Sequence, residues 1–161
     1  MKKSPAPRSL HVEVQTRVRA WAPRARDMAT WAGMALGRRV AGGEIGVRVV
    51  GSAESRRLNA RYRGKDKPTN VLSFPSPRAL RAAGDQPPLL GDLVICAQLV
   101  RSEAREQGKP LEAHWAHLVV HGALHLVGYD HERAADAKRM ERREIAVLRR
   151  LGFDNPYNIR I

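Results

Sequence analysis

The sequence predicts one domain in which a small sheet of about four strands is packed with five or so helices. Three observations support this. Four segments of strand character, near residues 10–15, 45–50, 69–74 and 90–96, are interleaved with or followed by five segments of helical periodicity. A chain of 161 residues can bury a sizeable core without disulfide or metal staples. No internal repeat or linker divides it, so residues 10–161 are expected as one domain behind a basic arm, 1–9, expected to be disordered.

Leu10-His11-Val12-Glu13-Val14-Gln15 alternates apolar and polar residues, the period of a half-buried strand, with His11 on its polar face. From Pro23 to Leu36, Ala25, Met28, Ala29, Ala32, Ala35 and Leu36 recur at the spacing of a helix laying one face on a sheet. After a turn at Gly42-Gly43, Ile45, Val47 and Val49 alternate with Gly46, Arg48 and Val50 as a second strand. Ser52 is placed to cap a helix running to about Arg61, with Glu54 in its first turn. Tyr62 to Lys67 reads as a charged loop, and Thr69 to Phe74 as a short strand stopped by Pro75. Residues 76–88 carry no packing signal and are expected to form an irregular loop.

Leu90 to Cys96 is the most continuously apolar strand and is expected in the centre of the sheet. Within it Asp92 reads as a strand-end hydrogen bonder and Cys96 as a small buried hydrophobe. A polar helix over 98–107 is closed by Gly108, and Pro110 opens a long helix running to Val127. The last helix is expected from Glu132 to Leu151, before Gly152. Its inner side is Met140, Glu144, Val147, Leu148 and Leu151; Arg139, Arg142, Arg143, Arg149 and Arg150 form its solvated side.

Composition excludes several classes. No window of 18 consecutive apolar residues exists, so no membrane span is expected, and no apolar region follows the basic start as a secretory signal requires. Cys96 is the only cysteine, which rules out an intrachain disulfide and fits a reducing cytoplasm. The formal charge is +13, mostly from arginine. Two readings of it stand side by side: attraction to phosphate backbones, and plain solvation of helix faces.

The chemistry-bearing stretch is His121 to His131, with histidines spaced H-x3-H-x5-H. On a helix, His121 and His125 stand one turn apart on one face, about 5–6 Å between Cβ atoms. Two imidazole nitrogens can then converge on one ion at about 2.0–2.1 Å each. Gly128 permits the left-handed conformation that stops a helix, so the returning chain can bring His131 in as a third ligand. Three neutral imidazoles beside one open position form the pattern of catalytic rather than structural zinc, and Zn²⁺, one per chain, is the expected cofactor. One histidine beside an apolar face is usually a hydrogen-bonded core residue; three at these offsets carry more weight. The same spacing occurs in H-E-x-x-H-x-x-G-x-x-H metalloproteases, whose glutamate is the general base, and here Gly122 stands in that position. His117 and His114 extend the histidine stripe by one turn and two. They are expected on the floor of the same cleft, with His114 also readable as a surface residue near the helix start.

With these segments in order, the chain resembles the YbeY family of metal-dependent endoribonucleases of rRNA maturation. The resemblance is carried by Asn59 to Pro75, with Tyr62-Arg63-Gly64-Lys65-Asp66 and Thr69-Asn70-Val71-Leu72-Ser73-Phe74; by Gly91 to Ile95; by Gln107 to Val120; and by His121 to His131. It covers about residues 45–157 without the 76–88 loop. It implies an α+β fold, a small mixed sheet with helices packed on it and the metal site at the end of a central helix. It also implies His121, His125 and His131 as zinc ligands and Arg63 as a functional arginine facing the metal cleft.

The activity implied by the resemblance is zinc-dependent, single-strand-selective cleavage of RNA phosphodiester bonds in 16S rRNA maturation and ribosome quality control. The implied partners are RNA, the small ribosomal subunit and ribosome-associated proteins, in the cytoplasm and away from membranes. The +13 charge departs from the many near-neutral or acidic members of the family. In chemical terms, Arg63 offers a planar, permanently charged grip on phosphate, and His121 acts with the metal-bound water. The base is open between Asp130, His117 and the RNA 2′-hydroxyl, with Asp130 alternatively orienting a ligand imidazole. Two other functions stand beside this one. One is a zinc metalloprotease-like hydrolase, against which Gly122 counts; the other is a non-catalytic rRNA-binding assembly factor with structural zinc.

Overall fold

Apolar residues on alternate strand positions meet on one face of a sheet, and helices bury them there. The computed structural model describes residues 10–37, 42–77 and 89–158; the expected arm 1–9 and most of the expected 76–88 loop lie outside them. The elements are β1 (His11–Thr16), α1 (Ala25–Leu36), β2 (Glu44–Val50), α2 (Ser52–Arg63), β3 (Val71–Pro75), β4 (Leu89–Cys96), α3 (Ala97–Glu106), α4 (Leu111–Leu126) and α5 (Ala134–Arg150). The sheet runs β1-β2-β4-β3, parallel between β1 and β2 and between β2 and β4, and antiparallel between β4 and β3. This is the mixed-sheet α+β fold expected, in a single domain.

β4 is interior, as its apolar run predicts, and only Leu89 and Asp92 on it are exposed. Asp92 is not at a strand end: it lies mid-strand, opposite Gly46 and Phe74, with its carboxylate over Gly46. Ile45, Val47, Leu93 and Ile95 face the main core, which α1, α3, α4 and α5 complete. On the other face Val50, Leu72 and Val94 form a smaller cluster with Leu58 of α2 and Phe74. Ten of the sixteen residues of α4 are buried, around most of its circumference, so this helix is the centre of the domain. No helix among the described residues is long and apolar enough to cross a membrane.

Several boundaries move for local reasons. α1 starts at Ala25 rather than Pro23, because Arg24 holds extended backbone. Gly51, not Ser52, caps α2; the Ser52 N–H donates instead to Gln98 Oε1 at 3.0 Å. α2 runs two residues past Arg61, to where Gly64 takes φ 68° and returns its N–H to Ala60 O at 3.1 Å. Arg63 is therefore a helical residue rather than part of a loop. α5 begins at Ala134 instead of Glu132. Arg143 is only half solvated, since its guanidinium donates to the Ala35 carbonyl at 3.1 Å.

His114 is not a surface residue. It is 3% exposed, and its Nε2 meets Glu103 Oε1 at 3.1 Å. Glu103 also accepts from Asn70 Nδ2 at 3.1 Å, so one carboxylate ties α3 to α4 and to the start of β3. Burial pushes the Glu103 pKa up, but the hydrogen bonds from His114 and Asn70 outweigh it and hold the group below the usual carboxylate value. Glu103→Ala leaves His114 Nε2 buried without its partner and is expected to cost about 1–3 kcal/mol in urea unfolding. A lowered carboxylate pKa contributes stability above the unfolded-state value, and that stability is lost as pH falls through the folded one. The gap between wild type and variant should therefore narrow on acidification; a gap independent of pH would show that the charge is not what matters.

Candidate metal centre

Helical spacing puts His121 and His125 on one side of the last turns of α4. Their Nε2 atoms face each other at 3.1 Å. Each Nδ1 is taken: His121 Nδ1 lies 2.5 Å from Glu144 Oε1, and His125 Nδ1 donates to the Tyr129 carbonyl at 2.8 Å. Neutral imidazole carries one proton, so both protons sit on Nδ1 and two lone pairs are turned towards each other. A metal ion bound between the two nitrogens, or a proton shared by them, relieves that arrangement. Nitrogens about 2.0–2.1 Å from a tetrahedral ion stand about 3.3–3.4 Å apart, close to the spacing seen. Burial, then the nearby His121 and His131, lower the pKa of His125 and keep its lone pair free.

His131 is brought beside the other two histidines by the loop that follows α4. Gly128 takes φ 98°, a conformation costly for any residue with a Cβ, and the chain reverses with Tyr129 N–H returned to Leu124 O at 3.1 Å. Asp130 Oδ1 accepts from the N–H groups of His131 at 2.7 Å and Glu132 at 3.2 Å. One nitrogen from each of His121, His125 and His131 then lies within 4.8 Å of the others. Asp130 itself is exposed and shapes this turn.

Behind the histidines stands Glu144 of α5, fully buried. Burial pushes its pKa up, yet the polar hydrogens of His117 and His121 prevail and bring it to about 2. His117 lies 3.4 Å from the same carboxylate oxygen, largely buried, with its own pKa lowered chiefly by that burial. The expected stripe of four histidines therefore splits. His121 and His125 face the cleft, whereas His117 and His114 are not on its floor, because α5 and α3 cover that side of α4 with Glu144 and Glu103.

The cleft holds about 530 Å³ and is walled by Tyr62 and Arg63 of α2, by 69–75 along β3, and by the three histidines. α2 is tied to the segment leading into β3 by its two buried residues, both polar: Ser55 Oγ donates to Thr69 O at 2.8 Å, and Asn59 Nδ2 to Lys67 O at 2.8 Å. An exposed Arg56–Asp66 pair at 2.7 Å braces the intervening turn. The contacts of these residues, and the places of Tyr62 at the cleft and of Glu144 behind the histidines, are what sequence reasoning missed. The available signals were small polar residues one turn apart beside a charged loop, and a glutamate inside the apolar stripe of α5. A second groove of about 340 Å³, on the sheet face around Arg48 and Asp92, gathers no comparable ligand set among the described residues. Gly122 faces the sheet: a Cβ there would stand 2.9 Å from Leu93 Cδ2, and Ser73 Oγ donates to its carbonyl at 3.1 Å.

The family described as Endoribonuclease YbeY matches residues 9–152, which takes in β1 as well as the stretch from residue 45 that carries the motifs. The chain is 50% identical over 156 residues to the protein named Endoribonuclease YbeY of Laribacter hongkongensis (strain HLHK9), covering 96% of this chain and 93% of that one. The solution structure of TM1509 from Thermotoga maritima is similar at a TM-score of 0.56 over 86% of each chain; at 23% identity this is a likeness of fold. A family match running through α5 and a half-identical relative along nearly the whole length lead to one conclusion: the chain belongs to the YbeY family of endoribonucleases.

Proposed function

We propose that this endoribonuclease is zinc-dependent and selective for single-stranded RNA, and that it acts in the cytoplasm on 16S rRNA precursors of the small ribosomal subunit, with roles in their maturation and quality control. The observation that carries the proposal is one cleft walled by Arg63 on one side and His121, His125 and His131 on the other. A zinc ion, when bound by these histidines, supplies Lewis acidity to a phosphodiester oxygen and to water. The chain's own residues do the rest. His121 and His125 keep their protons on Nδ1 and offer Nε2; His131 closes the set from its exposed turn. Arg63 grips a phosphate through paired N–H donors and meets the charge that builds on it. In this reading Asp130 orients the His131 turn and His117 supports Glu144, and neither takes the substrate proton. The buried Cys96 fits a reducing compartment.

Selectivity for single strands is supported by Tyr62. The residue is 56% exposed on the cleft rim, its ring held edge-on by Phe74 at 5.0 Å, with the Arg61 guanidinium 5.4 Å from its centroid. A flat aromatic face beside a phosphate-binding arginine suits an unstacked base, which a duplex does not present. The test uses zinc-loaded protein with one labelled RNA sequence, as a single strand and as a duplex, with and without chelator. The single strand should be cut, the duplex spared and chelator inhibitory. Tyr62→Ala should lose roughly 1–3 kcal/mol of single-strand affinity. Equal cleavage of both forms would refute selectivity, and cleavage insensitive to chelator would refute the metal. Binding without cleavage would favour the assembly-factor reading.

A further inference from the structure

We infer that Glu144 and Tyr157 are positioning residues of the metal centre, so that the segment following α5 is part of that centre. The inference rests on the three-histidine reading above. Glu144 lies in the inward stripe of α5 with Met140, Val147 and Leu148, all at most 2% exposed. A carboxylate in such a stripe is costly unless its oxygens are filled by donors. Among the described residues no lysine or arginine pairs with it; its ion-pair partners are His117 and His121. The remaining oxygen, Oε2, accepts the hydroxyl of Tyr157, whose ring also meets His117 edge-on at 5.3 Å.

Tyr157 reaches this point from a short turn. Its N–H donates to Asn155 Oδ1 at 2.9 Å, and the Asn158 N–H to Asn155 O at 3.2 Å. The turn lies beyond the residues that the family match covers. Burial and the Glu144 carboxylate raise the Tyr157 pKa, so its hydroxyl stays a donor. One oxygen of Glu144 thus holds the proton of His121 on Nδ1, and the other is anchored by the tail. A carboxylate on a ligand's distal N–H fixes tautomer and ring orientation and makes the ligating nitrogen more basic. Without it, His121 is free to carry its proton on Nε2, facing His125, where it would block an ion. Coupling is reciprocal, so whatever Tyr157 contributes to metal affinity, the metal returns to the docking of the tail.

The experiment compares wild type, Glu144→Gln and Tyr157→Phe as full-length chains. Imidazole ¹⁵N spectra of the metal-free proteins report the His121 tautomer, and chelator competition reports zinc affinity. Wild type should hold His121 as the Nδ1–H tautomer. Glu144→Gln should mix tautomers and lose about 10–100-fold in zinc affinity. Tyr157→Phe keeps the ring against His117 and removes only the hydroxyl, so it remains informative if Glu144→Gln folds poorly. A loss of about 10-fold in zinc affinity is expected for it, with the metal-free protein still folded at a modestly lower melting temperature, because Glu144 Oε2 loses its donor. Wild-type zinc affinity in Tyr157→Phe would exclude the tail from the centre. Failure of wild type to bind zinc would remove the metal reading alone. An unchanged His121 tautomer in Glu144→Gln would overturn the present inference whether or not zinc binds.

Discussion

Arg63→Ala is expected to lower single-turnover RNA cleavage by about 10²–10³-fold, or roughly 3–4 kcal/mol, with zinc content and melting temperature unchanged. The size follows from what the guanidinium does. Contacts to a phosphate under attack strengthen as charge accumulates, so their loss falls on the transition state more than on binding. Arg63 sits at the exposed end of α2 and makes no hydrogen bond or ion pair to other described residues, so its removal costs the fold little. RNA affinity should fall far less than rate, because Arg61, Lys65 and Lys67 lie nearby in sequence and still attract the backbone. Arg63→Lys should recover only part of the rate, since an ammonium cannot make the planar paired contact. Wild-type cleavage in Arg63→Ala would take the residue out of the reaction. Equal losses of rate and affinity would make it an ordinary backbone contact.

The second large effect is expected from His125→Ala. Two ligands remain, and bound zinc should fall far below one per chain. Ligand binding to the folded state adds to its stability; with free zinc a thousandfold above Kd this amounts to about 4 kcal/mol. That increment should vanish in the variant, so its melting temperature with zinc should resemble that of chelated wild type. Metal-free melting should change little, because the imidazole is half-buried and, apart from its contacts with His121 and His131, its hydrogen bond is the one to Tyr129 O. Elemental analysis and paired melts decide this, and full occupancy in His125→Ala would remove the residue from the ligand set.

The parts of the fold that were legible in the sequence are those governed by local pattern. Alternation gave β1 and β2, and the apolar run from Leu90 to Cys96 gave a central strand because a strand covered on both faces carries few polar side chains. The ligand spacing was legible too, since i, i+4 and a glycine stop are local geometry. What escaped was set by tertiary contact. His114 looks like a helix-start surface residue until α3 brings Glu103 over it. His117 shares the ligands' face, yet α5 supplies Glu144 there. Arg63 read as loop because its charged neighbourhood masked the local stop signal, the C-cap glycine at 64, which carries the helix past Arg61. The link from Tyr157 to His121 spans 36 positions and passes through a third residue, so no periodicity carries it.

The absence of a side chain at position 122 also bears on ancestry. Judged by letters, this histidine motif is one substitution away from that of a zinc protease. Judged by space it is much farther, because a glutamate at 122 would collide with Leu93 and disturb the Ser73 contact before it could meet any water. To make room, the buried Leu93 side chain would have to give way or α4 shift on β3 and β4, and a shift of α4 would carry His121 and His125 with it. Gly122→Glu should therefore yield a protein with a misplaced metal site rather than a peptidase. Two chemistries that are neighbours in motif space are separated here by the close seating of a helix on a sheet.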